Sequence, residues 1–109
     1  LHEVMVLNTC NLGAIDGIAH DAVVETPCLV DTNGLHPLAV GSVPCGCLGL
    51  MQQVKECEML ACEAAVTGSY SAAWKALALH PLVPSAAVAR SILDDCLDEH
   101  GALLAHIRR

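Results

Sequence analysis

The chain has very few aromatic side chains: one Trp, one Tyr and no Phe among 109 residues, which is 2% of the sequence. Aromatic side chains usually bury the largest apolar areas in a core. The core must therefore be built from Leu, Val, Ala, Cys and Met. Hydrophobic residues still make up 54% of the chain and charged residues only 16%. This composition excludes intrinsic disorder and predicts a single domain.

Basic residues are scarce as well. Five Lys and Arg stand against twelve Asp and Glu, and the formal net charge is −7. A nucleic-acid surface needs clustered positive charge, so we expect no nucleic-acid partner. No apolar run is long enough to cross a bilayer, and no signal-peptide pattern begins the sequence, so we expect a cytoplasmic protein without a membrane partner. Because Leu1 is not an initiator residue, the chain has the character of a fragment or a trimmed domain.

Seven cysteines are present, but no Cys-x-x-Cys pair occurs. Paired spacing is typical of structural zinc sites, and an even number of cysteines is typical of a disulfide framework. We therefore predict free thiols that act as small hydrophobic residues. A small Cys/His metal protein stays open as an alternative. Nucleotide and hydrolase motifs of the types GxGxxG, GxSxG and HExxH are absent, which argues against a self-contained enzyme of those classes.

Residue patterns predict strands first and helices afterwards, an α+β order. Strands are expected at residues 1–7, 22–30 and 38–40, and Pro27 suggests that the second strand is an edge strand or contains a bulge. Turns are expected at residues 11–13, 16–17 and 33–34.

Three helices should follow, the first from about Pro44 to Gly68, with Ser42 near its N-cap, the second over residues 71–79, and the third capped by Ser85. The first helix should bury one stripe: Leu50, Val54, Cys57, Ala61 and Ala65. The stripe of the third helix should be Ile92, Leu93, Cys96, Leu97, Leu104 and Ile107.

The positions of several charged residues on the helices predict their partners or their exposure. Glu58 falls within the apolar arc of the first helix and should be paired with Arg90 or a loop amide. The acidic run Asp94, Asp95, Asp98 and Glu99 should be a solvated helix face. Arg108 and Arg109 should complement the dipole at the end of the third helix.

Two asparagines lie where a strand ends before a glycine turn. Asn8 and Asn11 could present their amides into a cleft, or could close a plain Asx turn, and the residues alone favour neither. His20 and Asp21 could form an acid/base pair, and His36 and His80 could face a site, but closing a turn is the simpler role for each of these histidines.

Beyond single residues, several motifs follow one another in a familiar order. The segments NTCNLGAI, DAVVETP and NGLHPL, with the helical segments after them, resemble the C-terminal domain of glycoside hydrolase family 4 over roughly residues 4–100. The segment ALALHPLV resembles the 6-phospho-β-glucosidase branch more than the α-galacturonidase branch. Two departures are Ile-Ala-His-Asp at residues 18–21, where Leu-Pro-x-Asp is usual, and Cys57, where an aromatic residue is common. The first changes the residues that form the turn, and the second suggests looser packing behind Glu58.

This resemblance implies that the chain, residues 1–109, completes a larger enzyme whose N-terminal Rossmann-like domain binds NAD and lies outside it. Such enzymes hydrolyse O-glycosidic bonds by transient oxidation at C3, removal of the C2 proton by a Tyr, elimination of the aglycone, addition of water and return of the hydride. A divalent metal, typically Mn²⁺ on a Cys and a His, stabilises the enolate. Those residues belong to earlier segments, so no Cys or His of this chain is assigned to the metal, and Tyr70 does not match the catalytic Tyr.

The positions that carry over from the family are four residues near the sugar cleft: Asn8, Asn11, Gly13 and Ile15. The implied substrate is a phosphorylated disaccharide or glycoside, the implied cofactors are NAD and Mn²⁺, and the enzyme is expected to be a homo-oligomer. The chain alone is expected to be inactive. Two alternatives stay open, a stand-alone self-association module without catalysis and another family 4 specificity such as α-galacturonidase.

Overall fold

A computed structural model describes residues 2–109 of the chain. Three strands come first, β1 (Glu3–Cys10), β2 (Val23–Asp31) and β3 (Gly34–Pro37), and three helices follow, α1 (Cys45–Thr67), α2 (Tyr70–Leu79) and α3 (Ala86–Glu99). The predicted α+β order is confirmed. The chain divides into two compact units, one up to Gly49 and one from Leu50.

In the first unit, the strands form an antiparallel sheet in the order β1-β2-β3. The third strand was predicted at residues 38–40, and this was wrong. Asp31 pairs with Gly34 across a two-residue turn, and the Asp31 carboxylate accepts from the Asn33 N–H at 2.7 Å. Because so tight a turn brings the chain straight back into pairing, the third strand begins at Gly34.

Pro27 lies on the central strand, so its predicted place on an edge or in a bulge was wrong. Its carbonyl oxygen accepts from the Leu38 N–H at 2.9 Å. The nitrogen and carbonyl of one strand residue face the same neighbour, so the ring nitrogen also faces this side. Because β3 ends at Pro37, one residue before Leu38, no residue of β3 lies opposite Pro27. The N–H that Pro27 lacks therefore costs no hydrogen bond between β2 and β3.

The sheet has one covered face and one open face. On the first part of β2 the residues alternate, with Val24, Thr26 and Cys28 buried and Val23, Glu25 and Pro27 exposed. Six buried apolar residues form the core of this unit: Ala14, Ile15, Ile18, Ala22, Val24 and Cys28. On the open face, Val4 is 61% exposed and Val6 60% exposed.

In the second unit, serine caps fix where two helices begin. The Ser69 hydroxyl oxygen accepts from the Ala72 N–H at 3.1 Å, and that of Ser85 accepts from the Val88 N–H at 3.2 Å. The predicted Ser85 cap is confirmed, and α2 begins one residue before its predicted start. The core is built from small residues, as the lack of aromatics predicts: Cys57, Ala64, Ala72, Ala76, Ala89 and Leu93.

The predicted stripe of α1 was partly wrong. Cys57 is buried, but Leu50 is 51% exposed and Ala61 and Ala65 are exposed, whereas Ala64 is buried instead. The buried side of the helix is therefore rotated relative to the predicted one.

Gly68 ends α1, as predicted, in the left-handed conformation with φ +72°. A Cβ atom at this position would clash with the His106 carbonyl oxygen. The Gly68 carbonyl accepts from the Arg108 N–H at 2.8 Å, and the Arg108 carbonyl accepts from the Tyr70 N–H at 3.2 Å. Only glycine lets the end of the chain approach this closely.

The prediction that the third helix reaches the end of the chain was wrong. α3 ends at Glu99, so Leu104 and Ile107 lie outside it. Arg108 and Arg109 do not complement the α3 dipole, because the chain turns back after the helix and Arg108 forms a β-bridge with Ser69. Within residues 2–109, no helix is long and apolar enough to cross a membrane.

Candidate functional site

The connection between β1 and β2, residues 11–22, is a loop whose two ends are held together. We call it the Asn11 loop. Its neck extends the β1–β2 pairing, since the Asn11 N–H donates to the Ala22 carbonyl at 2.8 Å and the Leu12 N–H donates to the His20 carbonyl at 2.9 Å. Such closure gives the loop a defined shape. The departure at residues 18–21 is thus compatible with a hydrogen-bonded turn.

Asn11 is fully buried, with 0% of its surface exposed. Its amide nitrogen donates to the carbonyl oxygens of Ile15 at 3.0 Å and Ile18 at 2.8 Å, and its side-chain oxygen accepts from the Ile15 N–H at 2.8 Å. Both amide hydrogens are therefore used inside the loop. Asn11 therefore makes more hydrogen bonds than a plain Asx turn needs. A direct contact between Asn11 and a sugar stays a prediction.

The opposite side of the loop is bound by the segment after β3. The Ala14 carbonyl accepts from the Val40 N–H at 2.7 Å, and the Asp16 N–H donates to the Gly41 carbonyl at 3.0 Å. The Ser42 hydroxyl donates to the Asp16 carboxylate at 2.9 Å. Ser42 was expected near the N-cap of the first helix, but its hydroxyl instead ties residues 38–42 to the Asn11 loop.

Glycine is required at one tight point of the loop. Gly17 has φ +83°, and a Cβ atom there would lie 2.9 Å from a methyl group of Leu48. Gly13, one of the four predicted cleft residues, also has positive φ and lies beside the His20 ring. These glycines let the loop turn sharply between its fixed points.

The four predicted cleft residues do not converge in one place. Asn8 and Gly13 are exposed, while Asn11 and Ile15 are buried. Asn8 pairs with Glu25 across the sheet, and within the described residues its side-chain amide makes no hydrogen bond. Of the two asparagines, Asn8 has the amide that is available to a ligand, and Asn11 shapes the loop beside it.

A second polar cluster, which the sequence did not reveal, lies in the second unit. The Tyr70 hydroxyl donates to the Asp94 carboxylate at 2.8 Å, and the Arg109 guanidinium donates to the same oxygen at 2.6 Å. Arg109 also lies over the Tyr70 ring at 5.5 Å. Of the acidic run expected on a solvated face, Asp95, Asp98 and Glu99 are exposed as predicted, whereas Asp94 is half-buried and paired.

These contacts shift three pKa values. The hydrogen bond from Tyr70, and then the one from Arg109, lower the pKa of Asp94 below its ordinary value. Asp94 in turn raises the pKa of Tyr70, because the hydrogen bond requires the protonated phenol. The same carboxylate raises the pKa of Arg109.

Other charged and thiol groups have local roles. Glu58 pairs with Lys55 one turn earlier in α1 and is exposed, so its expected place in the apolar arc and its expected partners, Arg90 or a loop amide, were wrong. The Asn33 N–H and the nearby His36 lower the pKa of Asp31. Burial raises the pKa of the Cys57 thiol.

All seven cysteines are free thiols. Two of them, Cys28 and Cys57, are buried as small hydrophobic residues, and five are exposed. Among residues 2–109, no three or more His, Cys, Asp or Glu side chains are grouped so that they could hold a metal ion. No Cys or His of this chain is assigned to the Mn²⁺ that the family resemblance implies.

Comparison with known proteins places these features in context. Residues 1–83 match the family described as "Family 4 glycosyl hydrolase C-terminal domain". The chain is 47% identical over 103 residues, 94% of its length, to a probable 6-phospho-beta-glucosidase of Bacillus subtilis strain 168. It is 44% identical over 96 residues, 88% of its length, to a maltose-6'-phosphate glucosidase of Fusobacterium mortiferum. It spans 23% and 22% of these relatives, respectively.

Solved structures agree with this. A 6-phospho-alpha-glucosidase from gut microorganisms, in complex with NAD and glucose-6-phosphate, superimposes with a TM-score of 0.88 at 36% identity, covering 93% of this chain and 23% of that one. The 6-phospho-beta glucosidase of Thermotoga maritima, with manganese, NAD+ and glucose-6-phosphate, gives a TM-score of 0.80 at 34% identity, covering 89% of this chain and 24% of that one. The chain therefore belongs to the family 4 glycosyl hydrolases, of which it provides C-terminal domain sequence.

Proposed function

We propose that this chain is the C-terminal part of a 6-phosphoglycosidase that depends on NAD and Mn²⁺ and hydrolyses O-glycosidic bonds of phosphorylated glycosides. The observation that carries the proposal is the superposition on a 6-phospho-alpha-glucosidase in complex with NAD and glucose-6-phosphate. The identity to the Bacillus subtilis protein favours a β-glucoside as substrate. Another family 4 specificity, such as α-galacturonidase, is the alternative.

The contribution of this chain to the reaction is structural. No chemical step is assigned to its described residues, and we place oxidation at C3 and elimination in parts of the enzyme outside this chain, as the family resemblance implies. The Asn11 loop is the part of the chain that we place at the sugar cleft. Its closed neck and buried amide hold the backbone in one shape, which would position a wall of the cleft before substrate binds.

The test is an assay of the full-length enzyme with chromogenic 6-phospho-α- and 6-phospho-β-glucosides. Hydrolysis is expected to require added NAD⁺, to be lost after dialysis against EDTA, and to return with Mn²⁺. The 109-residue chain alone should be inactive under all these conditions. Activity of the full-length enzyme that persists without NAD⁺ and in EDTA would contradict the proposal.

We also propose that the enzyme is a homo-oligomer that acts in the cytoplasm. A chain with 54% hydrophobic and 16% charged residues supports the first part, because it leaves apolar surface such as Val4 and Val6 to be covered. Sedimentation equilibrium of the full-length enzyme checks this, with a mass of at least two subunits expected. A stand-alone self-association module is the alternative, and a 109-residue chain that stays monomeric at all concentrations would dismiss that alternative.

A further inference from the structure

One cavity of the second unit gathers most of the positive charge of the chain. It has a volume of about 480 Å³ and is lined by three of the five Lys and Arg residues in the sequence. The charged residues and the serines that line it are Arg90, Arg108, Arg109, Asp94, Ser69 and Ser71. In a chain with a net charge of −7, such a cluster is not expected from composition alone.

Two of the three arginines that line the cavity form no ion pair within the described residues. Asp94 is the carboxylate lining the cavity, and it is paired with Arg109 at 2.6 Å. Within residues 2–109, no carboxylate lies within ion-pair distance of Arg90 or Arg108. With one carboxylate among three arginines, the lining of the cavity carries an excess of positive charge, and such an excess attracts an anion.

Neutral donors line the same cavity. The Ser71 hydroxyl makes no hydrogen bond within the described residues, and the Ser69 oxygen accepts from Ala72 while its own hydrogen is left to donate. Both serines stand at the N-terminal end of α2, the positive end of the helix dipole. Arginine and serine residues thus line the cavity together, and the side chains of both residue types are hydrogen-bond donors.

This combination suits a phosphate group. Arginine guanidinium groups bind phosphate oxygens through paired, charge-assisted hydrogen bonds. The cavity volume of about 480 Å³ exceeds what a bare phosphate ion fills. We propose that this cavity binds the phosphate group of a small phosphorylated metabolite, with Arg90 and Arg108 as its charged ligands. The proposal rests on the charges of the second unit and is independent of the reaction proposed above.

Trp74 provides a local reporter. It is the only tryptophan, and the Arg90 guanidinium lies 5.5 Å from the centre of its ring. The experiment titrates the 109-residue chain with inorganic phosphate, and separately with glucose 6-phosphate and with glucose, while chloride keeps the ionic strength constant. Both phosphates should change Trp74 emission saturably, glucose should not, and Arg108→Gln should weaken binding about tenfold.

The matched control is Lys75→Gln, which removes the same charge from an exposed position of α2 outside the cavity. This variant should bind as the unchanged chain does. Circular dichroism verifies the fold of each variant, and if Arg108→Gln does not fold, Arg90→Gln measured by calorimetry takes its place with the same expected loss. The proposal is overturned if neither phosphate binds saturably, or if Lys75→Gln weakens binding as much as the arginine variant.

Discussion

The side-chain amide nitrogen of Asn11 lies 2.8 Å from the carbonyl oxygen of Ile18 and ties the first residue of a loop to its interior. A second bond to the Ile15 carbonyl and a third from the Ile15 N–H complete the arrangement, all without solvent exposure. One buried side chain therefore provides the hydrogen bonds that an irregular backbone cannot make with itself. It is the clearest link between the sequence of this chain and the shape that we place at the sugar cleft.

Replacing Asn11 by Ala should destabilise the chain by about 2–4 kcal/mol, because three buried backbone groups lose their partner. Urea unfolding followed by circular dichroism measures the change. Asn8→Ala is the matched control, since the Asn8 amide is exposed and makes no hydrogen bond within the described residues, and it should alter stability by less than about 0.5 kcal/mol. Equal effects of the two substitutions would show that the Asn11 bonds do not hold the loop.

Gly68→Ala should destabilise the chain by at least about 1–2 kcal/mol, the cost of a left-handed conformation for a residue with a Cβ atom. The clash with the His106 carbonyl adds to this. Gly49→Ala is the opposite case, because Gly49 lies in α1 with nothing near its added methyl group, and it should stabilise by up to about 1 kcal/mol. Thermal unfolding of both variants checks the sign, and a neutral Gly68→Ala would contradict the close approach.

The sole tyrosine makes the Tyr70–Asp94 bond directly measurable. In the folded chain the phenol should titrate above its ordinary pKa of about 10, and in urea it should return to that value. Absorbance of the phenolate during alkaline titration records this. In the Asp94→Asn variant, the pKa of Tyr70 in the folded chain should come close to its pKa in urea. A folded pKa at or below the unfolded one would rule out the bond.

The same pair contributes to the dependence of stability on pH. The lowered pKa of Asp94 contributes stability above the unfolded pKa of about 4, and this is lost as the pH falls through the folded value. The raised pKa of Tyr70 contributes stability below about pH 10, and this is lost as the pH rises through the folded value. Tyr70→Phe should therefore flatten the alkaline decline in the unfolding midpoint, which a series of melts at different pH values would show.

Thiol accessibility gives an independent check of burial. Five exposed cysteines should react quickly with a disulfide reagent, and Cys28 and Cys57 should react only as fast as the chain opens. The raised pKa of Cys57 slows its reaction further, because the thiolate is the nucleophile. All seven should react quickly in urea. Fast reaction of more than five thiols under native conditions would contradict the buried positions.

Features that depend on local sequence could be predicted. Ser85 caps α3 and Gly68 ends α1, because a cap needs only the residues within one helical turn. The short turn before Gly34 was also sufficient to predict where the third strand begins, since a two-residue turn brings the chain directly back into pairing. The apolar run at residues 38–40 led to the wrong strand prediction. The backbone of these residues is instead hydrogen-bonded to the Asn11 loop.

Features that depend on distant contacts could not be predicted. Nothing in the neighbourhood of Asp94 reveals that Arg109 turns back to it, because α3 ends ten residues before Arg109 and the return depends on Gly68. Whether Asn11 is buried or presented to a ligand likewise depends on where the Ile15 and Ile18 carbonyls point. The family resemblance named these cleft residues, but it could not distinguish a residue that contacts sugar from one that shapes the loop.

The central claim, that this chain completes a 6-phosphoglycosidase, is tested most directly by comparing kcat/KM of the full-length enzyme for a 6-phospho-β-glucoside and for the same glucoside without the phosphate. A site built to pair with a charged group rejects a substrate that lacks it, so the phosphorylated compound should be preferred by about 10³-fold or more. Equal kcat/KM values for the two compounds, or hydrolysis of only the unphosphorylated glucoside, would contradict the claim.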